Sequence, residues 1–336
     1  MILVTGGTGI VGSHLLYSLL KENKQVRAIH RANSDIEAVK TVFKCYTTNI
    51  DALYDKIEWV EADITNIPDL TVAFENVTQV YHCAAFINFD PSNYKALKKI
   101  NVEGTANVVN LCLAKKVKKI CYVSSVATLG SVPKGQLISE ETFWNPDKKN
   151  NVYAITKYGA EMEIWRGTQE GLDAVIVNPG IIFGISPNAE GSGIIVKLGA
   201  RGVSYYPTGG MGVVDVQDVV KAMVALMESS IKNERYILVG KNVSYHEILT
   251  KFALLYDKKP PTKKLSKTAM LFFSFLDWLS SKIFRTKRRL VKATVRSMFS
   301  TSIYDSSKIK EQLGFKFIPV EVTLKRIFNA SKKPSN

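Results

Sequence analysis

At 336 residues the chain can bury a large core and is long enough for one big α/β unit with a smaller one beside it; its 46% hydrophobic and 22% charged residues are the composition of a folded protein. Its formal net charge of +15 suits an anionic partner, but no nucleic-acid module stands in the sequence and lysine-rich solvated faces commonly produce such a balance, so nucleic acid is not an expected partner. Cys45, Cys83, Cys112 and Cys121 show no paired spacing and the four histidines no metal pattern, so neither disulfide nor metal is expected; with a strand opening at Ile2 rather than a leader, the expected compartment is the cytoplasm.

The apolar run Ile2-Leu3-Val4 reads as a buried parallel strand and leads into Thr5-Gly6-Gly7-Thr8-Gly9-Ile10-Val11-Gly12, after which apolar residues recur at helical spacing to Leu20. Gly6 suits the tight turn, Gly9 the close approach of a pyrophosphate, and Gly12 the packing of helix on strand, with free N–H groups facing the anion. A second strand, Gln25 to His30, follows about one βαβ unit later, which makes this a dinucleotide site rather than a bare turn.

Ser34 to about Lys56 reads as a helix and a polar loop. Strands are expected at Ile57–Glu61, Gln79–Ala85, Lys119–Val123 and Ala174–Gly180, with a short helix opening at Pro68 and a long one over about Asn93 to Lys116. Small residues at Ala84 and Ala85 let a flat ring or a ribose lie close to a strand end. Another helix starts at Asn151. This alternation predicts a Rossmann-type, doubly wound parallel α/β sheet over 1–180, with 212–240 returning to it, and a smaller substrate-binding domain from 181–211 and 241–330.

The stretch Lys258 to Met298 concentrates basic residues (Lys263, Lys264, Lys267, Lys282, Arg285, Lys287, Arg288, Arg289, Lys292, Arg296) around the apolar run Met270 to Leu279. Broken by Asp277, that run falls short of the ~20 residues that span a bilayer. The first expectation is a helix that packs on the small domain and walls the substrate pocket; peripheral contact of 265–296 with an anionic membrane is the second, and a homodimer contact is a third. Ser331 to Asn336 reads as a disordered tail.

Tyr153 and Lys157 stand one helical turn apart on one face, where an ammonium would favour the phenolate and bring a group that titrates near pH ~10 closer to working pH. Ser124 and Ser125 end a strand that the fold sets beside this helix, so a serine hydroxyl can hold a carbonyl oxygen while Tyr153 gives it a proton.

Taken with these residues, the chain resembles an extended short-chain dehydrogenase/reductase over nearly its whole length. The loop Thr5 to Gly12, Asp63-Ile64-Thr65, His82-Cys83-Ala84-Ala85, Asn101-Val102-Glu103-Gly104-Thr105, Tyr122-Val123-Ser124-Ser125, Tyr153 to Lys157 and Asn178-Pro179-Gly180 fall in that family's order, and Asp305-Ser306-Ser307-Lys308 with Leu313-Gly314-Phe315 resembles its closing helix. The resemblance implies that Ser125 polarises a carbonyl, with Ser124 its rival, that Tyr153 donates the proton, that Lys157 lowers its pKa and holds the nicotinamide ribose, and that Asn101 supports a proton relay. It also implies cofactor contacts from Gly6, Thr8, Gly9, Ile10, Val11, Gly12, Asp63, Ile64, Ala84, Ala85, Pro179, Gly180 and Ile182.

The second strand ends Ile29-His30-Arg31-Ala32-Asn33-Ser34 without the acid that accepts hydrogen bonds from an NAD ribose; Arg31 can instead pair with a 2′-phosphate, helped by Asn33 and Ser34, so NADP is expected over NAD. Within the family the chain is most similar to dihydroflavonol reductase-like carbonyl reductases. It carries Val126-Ala127-Thr128-Leu129 where sugar-nucleotide dehydratases have an acidic pair, and Met211 where many sugar-nucleotide enzymes place an arginine, although Arg201 could compensate. The expectation is a hydride transfer between NADP and a carbonyl or alcohol substrate, in a pocket drawn from Phe86, Phe89, Trp144, Phe183, Tyr205 and Tyr206. The alternatives are a sugar-nucleotide epimerase with tightly bound NAD and a non-catalytic NADP-binding regulator.

Overall fold

The computed structural model describes residues 1–133, 135–187, 193–284, 286, 288 and 290–332. Arg285, Lys287 and Arg289 of the basic stretch and residues 333–336 of the tail lie outside the described residues.

Seven strands, β1 (Ile2–Thr5), β2 (Val26–His30), β3 (Ile57–Glu61), β4 (Gln79–His82), β5 (Lys119–Val123), β6 (Asp173–Pro179) and, after two strands of a second sheet, β9 (Glu234–Leu238), form one sheet. Their order is β9-β6-β5-β4-β1-β2-β3, and every neighbouring pair is parallel. The chain runs outward from β1 through β2 to β3, then returns to β4 on the other side, so the strand order reverses between β1 and β4. In a doubly wound sheet the crevice beyond such a reversal is where ligands bind. This is the Rossmann-type α/β fold.

The central strands β1, β5 and β6 are largely apolar because both their faces are covered. Alternate residues serve two cores: Val4, Cys121, Val175 and Val177 pack with α1 (Ile10–Lys21) and α4 (Val216–Glu228), whereas Leu3, Ile120, Tyr122, Ala174 and Ile176 pack with α2 (Gly104–Ala114) and α3 (Val152–Gln169). The expected long helix before α2 is continuous but not uniform. It runs as 3₁₀ over Pro91–Asn93, α over Tyr94–Leu97 and π over Lys98–Glu103. The helix and polar loop expected over Ser34 to about Lys56 form three short helical pieces, Glu37–Val39, Lys40–Phe43 and Asp51–Tyr54, with turns between and around them.

A second, three-stranded sheet joins β7 (Ile181–Phe183), β8 (Gly210–Asp215) and β10 (Lys241–Ser244) in the order β10-β8-β7. The chain's return to the large sheet therefore starts at α4, one strand later than residue 212. Helices α5 (Tyr245–Leu255) and α7 (Val320–Lys332) close the core of this small sheet around Phe183, Met211 and Phe252. The apolar run forms part of α6 (Lys267–Phe284). Among the described residues no helix is long and apolar enough to cross a membrane.

Candidate active site

The glycine loop closes tightly on the end of β4. Gly6 adopts φ +71°, and a Cβ there would stand 2.7 Å from the Ala84 nitrogen; a Cβ at Gly12 would stand 2.2 Å from the Gly6 carbonyl oxygen. Only glycine permits either approach. Thr5 fixes the same junction, since its hydroxyl accepts from the Ala84 N–H at 3.2 Å and bonds His82 Nδ1 at 2.7 Å, while His82 Nε2 meets Thr105 Oγ1 at 2.9 Å. Burial pushes the His82 imidazole down to about 3, so it stays neutral and serves as a strut between the two strands and α2. Gly9 caps α1 without a side chain, so no side chain satisfies the first N–H groups of the helix.

At the end of β2, Arg31 and Asn33 are exposed and Ser34 closes a small turn, accepting from the Arg31 N–H at 3.2 Å while its own N–H donates to the Arg31 carbonyl at 2.8 Å. Asp63 turns on itself, accepting from the N–H and hydroxyl of Thr65 at 2.8 and 2.7 Å. The Ile64 side chain is buried in the core, and a Cβ at Gly104 would stand 2.6 Å from its Cδ1, so its side chain is committed to packing against α2. Ala84 is part-buried and Ala85 exposed beyond β4, while Pro179 ends β6 buried, with Gly180 and Ile182 part-buried after it.

Asn151 starts α3 by accepting from the Ala154 N–H at 2.8 Å, and this start sets Tyr153, Lys157 and Glu161 in line along one face, a turn apart. Ser125 lies near enough to the Tyr153 phenol to act on its pKa. Ser125 also opens the turn Val126–Thr128, accepting from the Ala127 N–H at 3.2 Å. Enclosure raises the Tyr153 phenol to about 12, with the nearby Ser125 acting in the opposite direction. Burial lowers the Lys157 amine to about 7 against the pull of Glu161.

The Lys157 amine is bonded to β5: it donates to the Tyr122 hydroxyl at 2.6 Å and the Val123 carbonyl at 2.9 Å. The two serines are also distinguished. Ser124 is buried and donates to Glu161 Oε2 at 2.5 Å, whereas Ser125 is part-exposed beside Tyr153.

Glu161 was not singled out by sequence. It is fully buried, and besides Ser124 its carboxylate accepts from Thr128 Oγ1 at 2.7 Å, Asn178 Nδ2 at 3.0 Å and Arg235 Nη1 at 3.0 Å. The signal was an acid one further turn along the Tyr-Lys face, inside a helix that the sheet covers. Asn101 sits in the π turn, buried, and its side chain accepts from the Phe86 N–H at 2.7 Å while donating to the Phe86 carbonyl at 3.0 Å and to Thr156 Oγ1 at 3.2 Å. It thereby holds the loop after β4 onto the start of α3. Inserted π turns are frequent at functional sites because the extra residue re-aims a side chain.

Of the expected pocket residues, Phe89 lies edge-on to Tyr153 with ring centroids 5.4 Å apart, and Phe86 is held beside it by Asn101. Trp144 stacks on Tyr158 at 4.6 Å, Tyr206 packs on His246 at 4.3 Å and Tyr205 is half exposed. Phe183 is 1% exposed and packs on Phe252, because β7 turns it into the small-sheet core. Met211 is buried in that same core, and Arg201 is exposed at the end of its helix.

The model of the NAD dependent epimerase/dehydratase family matches residues 2–240. A protein of Synechocystis sp. provisionally named dihydroflavonol 4-reductase is 29% identical over 326 residues, covering 93% of this chain and 88% of that protein. Among solved structures, that of gox2253 superposes with a TM-score of 0.81 at 26% identity, covering 98% of this chain and 97% of the other. UDP-glucose 4-epimerase of Thermotoga maritima superposes with a TM-score of 0.76 at 20% identity over 98% of each chain, a likeness of fold. With a glycine loop, a seven-stranded parallel sheet and a family match across both, the chain belongs to the NAD dependent epimerase/dehydratase family, of the extended short-chain dehydrogenase/reductase kind.

Proposed function

We propose that this protein is an NADP-dependent carbonyl reductase or alcohol dehydrogenase, with Ser125, Tyr153 and Lys157 as its catalytic residues. The observation that carries the reading is the placement of a part-exposed Ser125, just past β5, beside the Tyr153 phenol, while Ser124 is taken up by Glu161. The Gly6 and Gly12 approaches form a cradle that any Cβ would fill, which fits a pyrophosphate, and the cofactor contacts implied from sequence would hold the rest of the dinucleotide. When bound, the nicotinamide supplies or accepts the hydride.

The side chains handle the proton and the oxygen. With the phenol raised to about 12, Tyr153 keeps its proton at neutral pH, the state a reduction draws on. Ser125 donates to the substrate oxygen and Tyr153 protonates it as negative charge develops there. Lys157 contributes positive charge behind the tyrosine and a donor for the nicotinamide ribose. Asn101 is a positioning residue that keeps the Phe86–Phe89 loop against α3. An exposed Arg31 with no acid at the end of β2 supports a 2′-phosphate and hence NADP. The small-sheet unit, 181–215 and 241–330, would receive the substrate.

The test is oxidation of NADPH and NADH by the purified protein against aldehydes, ketones and keto-sugar nucleotides. Simple carbonyls should be reduced with NADPH preferred, Tyr153→Phe should lose about 10²–10⁴-fold in rate with cofactor binding intact, and Arg31→Ala should weaken NADPH about 10–100-fold while sparing NADH. Isomerisation of a sugar nucleotide without net consumption of reductant would replace this reading with an epimerase. Unchanged turnover in Tyr153→Phe would remove the residue from the chemistry.

A further inference from the structure

Helix α6 is inverted relative to a helix that packs on a core. Its inward side carries Ser274, which is 3% exposed and donates to the Leu290 carbonyl at 2.8 Å, and Asp277, which accepts from the Leu290 N–H at 3.1 Å and lies 3.9 Å from Arg288. The opposite side carries Phe272, Leu276, Leu279 and Ile283 at the i, i+4, i+7, i+11 spacing of one helical face, flanked by Phe275; these five side chains are 40–64% exposed. The helix thus spends its polar groups on the protein and turns its large apolar groups out, the reverse of the pocket wall expected from sequence.

The exposed charge of this segment has one sign. Lys263, Lys264 and Lys267 precede it, Lys282 lies in its last turn, and Lys292 and Arg296 follow, all exposed; the single acid of 263–296, Asp277, faces Leu290 and Arg288. We propose that α6 lies in the plane of an anionic lipid bilayer surface, with Phe272, Phe275, Leu276, Leu279 and Ile283 entering the acyl boundary and the basic rim meeting lipid phosphates. Charge complementarity selects this occupant. A second copy of the chain meeting α6 by two-fold symmetry would set the same basic rim against itself. The apolar stretch is too short to cross a bilayer and has the composition of helices that lie along one.

The surface is joined to the candidate site. Arg288 Nη1 lies 3.7 Å from Asp90, which follows Phe89 and caps the turn Pro91–Asn93, and Phe89 rests on Tyr153. Docking of α6 would therefore set the cleft next to the membrane whichever substrate it serves.

Flotation of the full chain with vesicles of phosphatidylcholine alone and of phosphatidylcholine with phosphatidylglycerol in equal parts tests this. The protein should float with the anionic vesicles at low salt and not with the neutral ones, and added salt should weaken binding. Lys263→Glu with Lys264→Glu should weaken binding at least about fivefold per charge, and Phe272→Ser with Ile283→Ser should abolish it while NADPH binding persists. Failure to float at low salt, or flotation unchanged in Phe272→Ser with Ile283→Ser, overturns the proposal. So does a dimer that those two substitutions dissolve, because a second copy would then cover the face.

Discussion

Glu161 shows how much of the candidate site rests on a residue outside the motif. Its carboxylate is the common acceptor for Ser124, Thr128, Asn178 and Arg235, and it is the leading influence that holds the Lys157 proton against burial. Glu161→Gln should destabilise the fold by about 3–5 kcal/mol, since it leaves the Arg235 guanidinium without its buried partner. Ser124→Ala, which keeps the ion pair, should cost only about 1 kcal/mol. Urea midpoints of the two variants check the difference. The same Glu161→Gln change should lower the Lys157 pKa further from about 7, moving any rate profile that depends on its ammonium to lower pH. Tyr153, Lys157 and the serine pair were legible because helical spacing and a strand end suffice to place them. Which serine faces the crevice was not: Ser124 continues the buried face of Ile120 and Tyr122, a distinction that appears only once the strand register against β6 is known.

Among the elements, the strands of the large sheet were legible as short apolar runs, and a short loop rich in glycine could hardly join β1 to α1 otherwise. The π turn at Asn101 was not legible, because it answers to a tertiary partner, the Phe86 backbone, that no local pattern encodes. The orientation of α6 escaped for a related reason: apolar periodicity marks a face but not the side the protein occupies. A further tie unseen in the sequence runs between α1 and α7. His14 on α1 bonds Tyr46 and, at 2.8 Å, the Ile185 carbonyl; Tyr46 meets Gln217 at 3.0 Å, and Gln217 meets Arg326 of α7 at 2.6 Å. Burial lowers the His14 imidazole to about 4 from 6.5, the nearby Asp215 and Arg326 acting in opposite directions. Because the folded pKa is the lower one, the unfolded chain binds the extra proton between those values, and stability falls as pH falls from about 6.5 toward 4. His14→Gln should lose less stability over that interval than the parent, so that their urea midpoints, measured from pH 7 downward, converge in acid.

Across the whole molecule the chain is stitched together by its last thirty or so residues. Ile309 and Phe315 complete the core that β1, α1 and α4 share, whereas Val320, Leu324 and Ile327 fill the core of the small sheet. Between them the Ile318 N–H donates to Asp218 at 2.8 Å, and Arg326 with Thr323 closes on the fully buried Asp215 at the junction of β8 and α4. A linear reading assigns this segment to the second unit alone; in space it belongs to both, which is why a boundary drawn at one residue describes the molecule poorly. Removing everything after Ser300 would take away five large buried side chains, about 7.5–15 kcal/mol at about 1.5–3 kcal/mol each. That matches the about 5–15 kcal/mol by which a whole domain is stable. The shortened chain should therefore neither give a cooperative thermal transition nor bind a nicotinamide dinucleotide, while the full chain should unfold in one transition by both calorimetry and circular dichroism, since the staple couples its two sheets. A chain of residues 1–300 that melts sharply and still binds the cofactor would show that the glycine-loop sheet stands without its C-terminal staple.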